Sequence, residues 1–155
     1  MTTGDDAKWI RRAFELARQA AARGDAAFGA VLVSADGRVL GEGENTATSA
    51  KDPTGHAELN LVRGLFARVD PAALAAATMY ASGEPCPMCA AAIAWSGIGR
   101  VVYSVPSPRL SELLRDRPGP SFSLRAQDVL ASASSPVRIE GELLAEEGER
   151  VFERS

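Results

Sequence analysis

The sequence predicts an α/β layered domain. Two observations carry this: segments of helical and strand pattern alternate along the 155 residues, and strand-like runs flank the helix that carries both cysteines. A third is size and balance, since 46% hydrophobic and 24% charged residues over this length fit one globular domain spanning 1–155. At that length roughly 68–70% of the unfolded surface is buried on folding, enough for a core without cross-links.

From Asp6 to Ala22, Trp9, Ile10, Ala13, Phe14, Ala17 and Ala20 recur at three-to-four spacing, with Lys8, Arg11, Arg12 and Arg18 elsewhere on the wheel. The spacing predicts an amphipathic helix stopped near Gly24. Gly29 to Val33 is a short apolar run, and Asp36-Gly37 separates it from Arg38-Val39-Leu40, which predicts an antiparallel hairpin. Gly41 to Gly55 shifts to Gly, Asn, Thr, Ser and Asp-Pro, a loop longer than a connector needs. His56 to Ala67 returns to helical spacing, broken by Asp70-Pro71 before a short Ala-rich stretch.

Thr78 to Ala81 predicts a buried strand. Pro87 fits a first helical turn, leading into a helix from Met88 to Trp95, so the cysteines sit at a helix start. Arg100 to Val105 predicts a β-branched strand. Beyond Pro106 the pattern thins: a short helix at Leu110 to Leu114, loops at 117–120 and 132–136, an edge strand at Val137 to Ile139 and a closing helix from Leu143 to Phe152.

The formal charge of -3 offers no long-range attraction for a polyanion, which argues against nucleic acid and anionic membranes as partners. No run approaches the ~18–20 apolar residues that span a bilayer, and Met1 to Asp6 lacks the layout of a secretory signal, so the expected location is the cytoplasm. Two cysteines three positions apart are too few and too close for a disulfide framework.

The one histidine and both cysteines fall into two compact motifs, His56-Ala57-Glu58 and Pro85-Cys86-Pro87-Met88-Cys89. Imidazole nitrogen and thiolate sulfur are the donors that Zn²⁺ prefers, and a helix start favours ionised sulfur. A closed structural site wants about four such ligands, and this chain has three, which leaves a position for water. Glu58 then fits a proton carrier that does not ligate the metal. Taken alone, the cysteines also fit a redox pair and His56 a core or helix-start histidine; the joint pattern favours the metal.

His-Ala-Glu followed by Pro-Cys-Pro-Met-Cys resembles the cytidine deaminase superfamily. Phe28-Gly29-Ala30, Asn45, Asp52-Pro53-Thr54, Tyr80 to Glu84 and Trp95 resemble its purine-base branch, the guanine deaminases and tRNA adenosine deaminases. The resemblance implies a three-layer α-β-α fold with a mixed five-stranded sheet, Zn²⁺ on His56, Cys86 and Cys89, and Glu58 as the catalytic proton shuttle. It also implies that Asn45 hydrogen-bonds the base, with Ala57 beside it, and that the chain forms a homodimer. Phe28 and Trp95 offer flat apolar walls to a planar heterocycle, although both also fit the core, and Asn45 also fits a turn former.

The expected function is zinc-dependent hydrolytic deamination of a small amino-heterocycle, with guanine leading. Aminotriazines, cytosine and nucleosides come next, then tRNA adenosine, then a zinc-stabilised module without activity. The Glu-rich closing segment sets the tRNA reading lower, since related tRNA enzymes carry arginine there. The acidic segment and terminal tyrosine of typical guanine deaminases have no clear counterpart after Ser107, where Asp116 and Asp128 are the available substitutes, and Gly55 stands where the family commonly has alanine.

Overall fold

The computed structural model describes residues 4–153; the outermost ends of the expected 1–155 domain, and with them Met1 to Thr3 of the opening segment, lie outside the described residues. Helix α1 (Gly4–Arg23) carries Asp5 and Asp6 in its first turn and Arg23 in its last, matching the charge preference of the two helix ends. Strands β1 (Gly29–Val33) and β2 (Val39–Glu44) form the predicted hairpin. Then come α2 (Ala57–Val62), a 3-10 turn at Leu65–Ala67, α3 (Pro71–Ala75), β3 (Thr78–Gly83), α4 (Pro87–Ser96) and β4 (Arg100–Val105). The remainder is α5 (Ser107–Leu113), α6 (Ala126–Ala131), β5 (Arg138–Glu140), α7 (Ala145–Glu149) and a last 3-10 turn at Arg150–Phe152.

The five strands lie in the order β2-β1-β3-β4-β5. β1 is antiparallel to β2 and β3, whereas β3, β4 and β5 run parallel, so the sheet is mixed as the resemblance implied. Alternation along each strand sends neighbours to opposite faces. Ala30, Leu32, Met79 and Val101 pack with Leu61, Leu65, Leu74 and Ile93 on the side of α2, α3 and α4. Val31, Val33, Tyr80 and Val102 pack with Ile10, Phe14 and Ala17 of α1 and with Val151. These two cores make the three layers. Burying each such Leu, Ile or Phe contributes about 1.5–3 kcal/mol.

Charge also ties the layers. Asp6 accepts the Tyr80 hydroxyl at 2.5 Å and the Arg100 guanidinium at 2.9 and 3.1 Å, while Arg100 Nε reaches Glu140 at 2.8 Å. α1, β3, β4 and β5 thus meet at one network.

Several expectations move. β2 continues to Glu44 into the stretch expected as loop, because antiparallel pairing with Gly29–Leu32 satisfies its backbone. The helix expected to reach Ala67 ends at Val62; Gly64, at a left-handed φ of 78°, turns the chain into the 3-10 segment. α6 was not expected. Six residues carry no periodic stripe, and the helix start is held by the Asp128 carboxylate accepting the Arg125 N–H at 3.3 Å. The closing helix is shorter than expected and begins only after Leu144, itself at positive φ. No helix among the described residues is long and apolar enough to cross a membrane.

Candidate active site

His56 and Cys86 each occupy the extended position just before a helix, α2 and α4 respectively. The loop that delivers His56 is built from its own polar side chains. Asp52 accepts the N–H and hydroxyl of Thr54 at 2.9 and 2.7 Å, and Asn60 of α2 donates to the Glu44 carbonyl and to Thr46, both at 2.9 Å. α2 can lie close on β2 because Gly43 has no side chain: a Cβ there would stand 2.1 Å from the Ala57 carbonyl oxygen. Cys86 arrives from β3 through Glu84 and Pro85, and Pro87 starts α4 where a missing N–H leaves nothing unpaired.

These elements bring His56 Nδ1 to 3.5 Å from Cys86 Sγ and 3.6 Å from Cys89 Sγ. The three donor atoms lie within 4.8 Å of one another, and no other His, Cys, Asp or Glu joins them among the described residues. A tetrahedral Zn²⁺ about 2.0–2.1 Å from nitrogen and about 2.3 Å from sulfur sets those atoms about 3.6 Å apart. The donor set and its spacing therefore fit zinc, with three protein ligands. Hydrogen bonding from Cys89, helped by His56, holds the Cys86 thiol down at about 4, while the same bond and burial push Cys89 up. His56 is raised by its hydrogen bond to Cys86. The Cys86 sulfur is thus favoured as thiolate beside an imidazole that its charge keeps protonated, and that proton must leave before the nitrogen can ligate.

Glu58, two residues on, is only 7% exposed. Burial, reinforced by the charge of Cys86, pushes its carboxyl up to about 7. A carboxyl in that range both takes and returns a proton near neutrality.

His56, Cys86 and Glu58 line a cavity of about 650 Å³, with Cys89 buried behind them. Asn45 and Phe28 line it, as expected. Asn45 is 4% exposed; its Oδ1 accepts the Ala47 N–H at 3.0 Å, which orients the amide. Phe28 stacks edge-on against Phe152 with centroids 5.4 Å apart. Trp95 is not brought to the cavity: α4 turns Cys89, Ala90, Ile93 and Ser96 inward, and Trp95, on the other side, is 86% exposed. Ala57 is buried under Gly43 and does not line the cavity either. Neither Asp116 nor Asp128 faces it, the latter capping α6.

Other lining residues escaped the sequence reading. Asp25 accepts the N–H and hydroxyl of Ser49 at 2.8 and 2.7 Å and the Arg23 guanidinium at 2.7 Å, pinning the loop that bears Asn45. Glu84 accepts the Ser107 N–H at 2.9 Å, the Ala126 N–H at 3.0 Å and Arg125 at 2.8 Å. A charged residue directly before Pro85-Cys86 at the end of a buried strand was the available signal for it. The segment between, with Leu114, Arg115, Arg117 and Phe122, forms a wall of the cavity.

Residues 3–105 match the cytidine and deoxycytidylate deaminase zinc-binding region. A probable cytosine deaminase of Schizosaccharomyces pombe is 32% identical over 143 residues, 92% of this chain and 86% of that one. The guanine deaminase of Bacillus subtilis is 38% identical over 97 residues, 62% of each chain. The tRNA(Ile)-lysidine synthase of Deinococcus radiodurans matches 69% of this chain at 39% identity, but the match spans 19% of that protein's length. Among solved structures, the guanine deaminase of Nitrosomonas europaea superposes with a TM-score of 0.81 at 19% identity, covering 99% of this chain and 84% of that one.

Proposed function

The chain belongs to the cytidine and deoxycytidylate deaminase family, in its purine-base branch, and on that premise we propose that it hydrolytically deaminates a small amino-heterocycle, with guanine the first ring to try. The observation that carries this is Glu58, buried in the cavity two residues from a His/Cys/Cys group spaced for zinc. Zn²⁺, when bound there, supplies the Lewis acidity that lowers the pKa of water from 15.7 to about 7.

The chain's own groups do the rest. Glu58 takes a proton from the attacking water and passes it to the ring nitrogen beside the amine-bearing carbon. It then carries the proton of the added hydroxyl to the departing amine, so that the carbonyl forms as the C–N bond breaks and ammonia leaves. Asn45 donates its amide N–H to the ring, since Ala47 already occupies Oδ1. Phe28 supplies an apolar face.

A tRNA substrate is the second reading, and the closing segment disfavours it: Glu147 holds Arg11 at 3.0 Å and Glu149 holds Arg109 at 2.9 Å, so carboxylates cancel the cations on that face. We further propose a cytoplasmic homodimer of one deaminase domain, residues 1–155, with exposed Trp95 supplying apolar contact surface. Ammonia release should be screened over guanine, cytosine, adenine, adenosine, cytidine and aminotriazines, with zinc quantified. Turnover of one free heterocycle supports the reading, and zinc-loaded protein inert on all of them contradicts it.

A further inference from the structure

The cavity is more than a slot for a flat bare base. At about 650 Å³ it lies in the range that drug-sized ligands fill. Its charges are unevenly matched. Asp25 is neutralised by Arg23 at 2.7 Å, and Glu84 by Arg125 at 2.8 Å. Glu58 belongs to the reacting centre. The cations left on the wall are Arg115 and Arg117.

These two differ from most arginines of the chain. Eight of the fifteen, Arg11, Arg12, Arg23, Arg38, Arg63, Arg100, Arg109 and Arg125, pair with a carboxylate among the described residues. The side chains of Arg115 and Arg117 have no ion pair or hydrogen bond to any described residue, and Asp116 between them does not line the cavity. The wall that carries them is anchored. Glu84 grips the Ser107 N–H before it and the Arg125 guanidinium and Ala126 N–H after it. Glu84 is also two residues from Cys86, so the guanidinium-bearing segment is held in register with the proposed reacting centre.

We propose that the heterocycle deaminated here carries an oxyanion, a carboxylate or a phosphate, bound at the cavity wall by Arg115 and Arg117. This inference rests on the deaminase reading above and specifies its substrate class. Planar guanidinium groups bind either oxyanion in fork geometry, which an uncharged ring cannot reproduce. A few paired hydrogen bonds at the wall would then select among rings that the base-holding residues alone treat alike.

The test compares ammonia release from three members of one ring series: the free base, a carboxylated derivative and the nucleoside 5′-monophosphate. With wild-type, zinc-loaded protein an anionic member should show kcat/KM about 10- to 100-fold above the free base, the gain narrowing as salt is raised. Which anion gains more identifies the source. The Arg115→Gln/Arg117→Gln double variant should raise KM for that member by about tenfold or more while leaving the free-base KM within about twofold, and Arg115→Lys/Arg117→Lys should restore part of the loss. Unchanged thermal unfolding of the double variant excludes a folding defect.

Preference for the free base, or an equal KM rise for charged and uncharged members, overturns this inference and leaves the deaminase reading standing. Arginine-dependent turnover of a tRNA anticodon stem-loop with no activity on small anionic rings overturns it in favour of a nucleic-acid substrate. Zinc-loaded protein inert on every substrate overturns both.

Discussion

The guanidinium of Arg23 donates to the backbone carbonyl of Asn45 at 2.8 Å, so the last turn of α1 fixes a cavity-lining residue that we propose holds the ring. The same guanidinium holds Asp25, and Asp25 holds Ser49. Burial pushes the Asp25 carboxyl up, but the Ser49 N–H and hydroxyl and Arg23 outweigh it and keep the group at about 2. A depressed carboxylate adds stability above its ordinary value near 3.8 and loses it as pH falls through about 2. Asp25→Asn should therefore lower stability by about 1–3 kcal/mol at neutral pH, by loss of a buried charged acceptor, with the gap to wild type closing as pH falls through that window. Urea unfolding across the acid range checks it; a constant gap would show that the charge is not what matters.

Metal uptake should release protons. His56 is raised by its hydrogen bond to Cys86, and its imidazole must be neutral to ligate, so protons compete with zinc below its pKa. Zinc affinity measured against a competing chelator should rise from about pH 6 to about pH 8, and Cys86→Ala should lower metal content sharply at every pH. Affinity flat with pH would place the metal elsewhere.

Glu84 holds both ends of the 107–126 segment from one buried carboxylate. Burial opposes its charge, yet Arg125 and the two N–H groups win and keep it ionised below its ordinary range. Because Arg125 is partly exposed, Glu84→Gln should destabilise by only about 1–3 kcal/mol. It should also raise protease cleavage within 107–126 more than elsewhere, which limited proteolysis with mass spectrometry detects.

Phe28 and Trp95 separate cleanly. Phe28 lines the cavity and Trp95 does not. Phe28→Leu should raise KM by several-fold, given about 1–3 kcal/mol for stacking a base, while Trp95→Ala should leave the KM of assembled protein unchanged. An equal effect of both would contradict the placement of α4.

The reacting centre was legible because its chemistry is scarce: one imidazole and two thiols cannot be assigned to many other sites. β1 and β4 were legible at both ends because their apolar runs are sharply bounded. The cavity wall was not. Asp25 finds Ser49 across 24 positions and Glu84 finds Arg125 across 41, separations that no local pattern encodes. Trp95 failed for a different reason: α4 is apolar nearly all round, so its sequence has no stripe to say which side faces inward.

The most direct test is Glu58→Gln, assayed for zinc and ammonia on the same preparation with whichever heterocycle the wild type turns over. Zinc should stay near one ion per chain while ammonia release falls by about 10²–10⁴, the contribution of a positioned proton carrier. Retained turnover, or loss of the metal together with activity, would contradict the role given to this carboxylate.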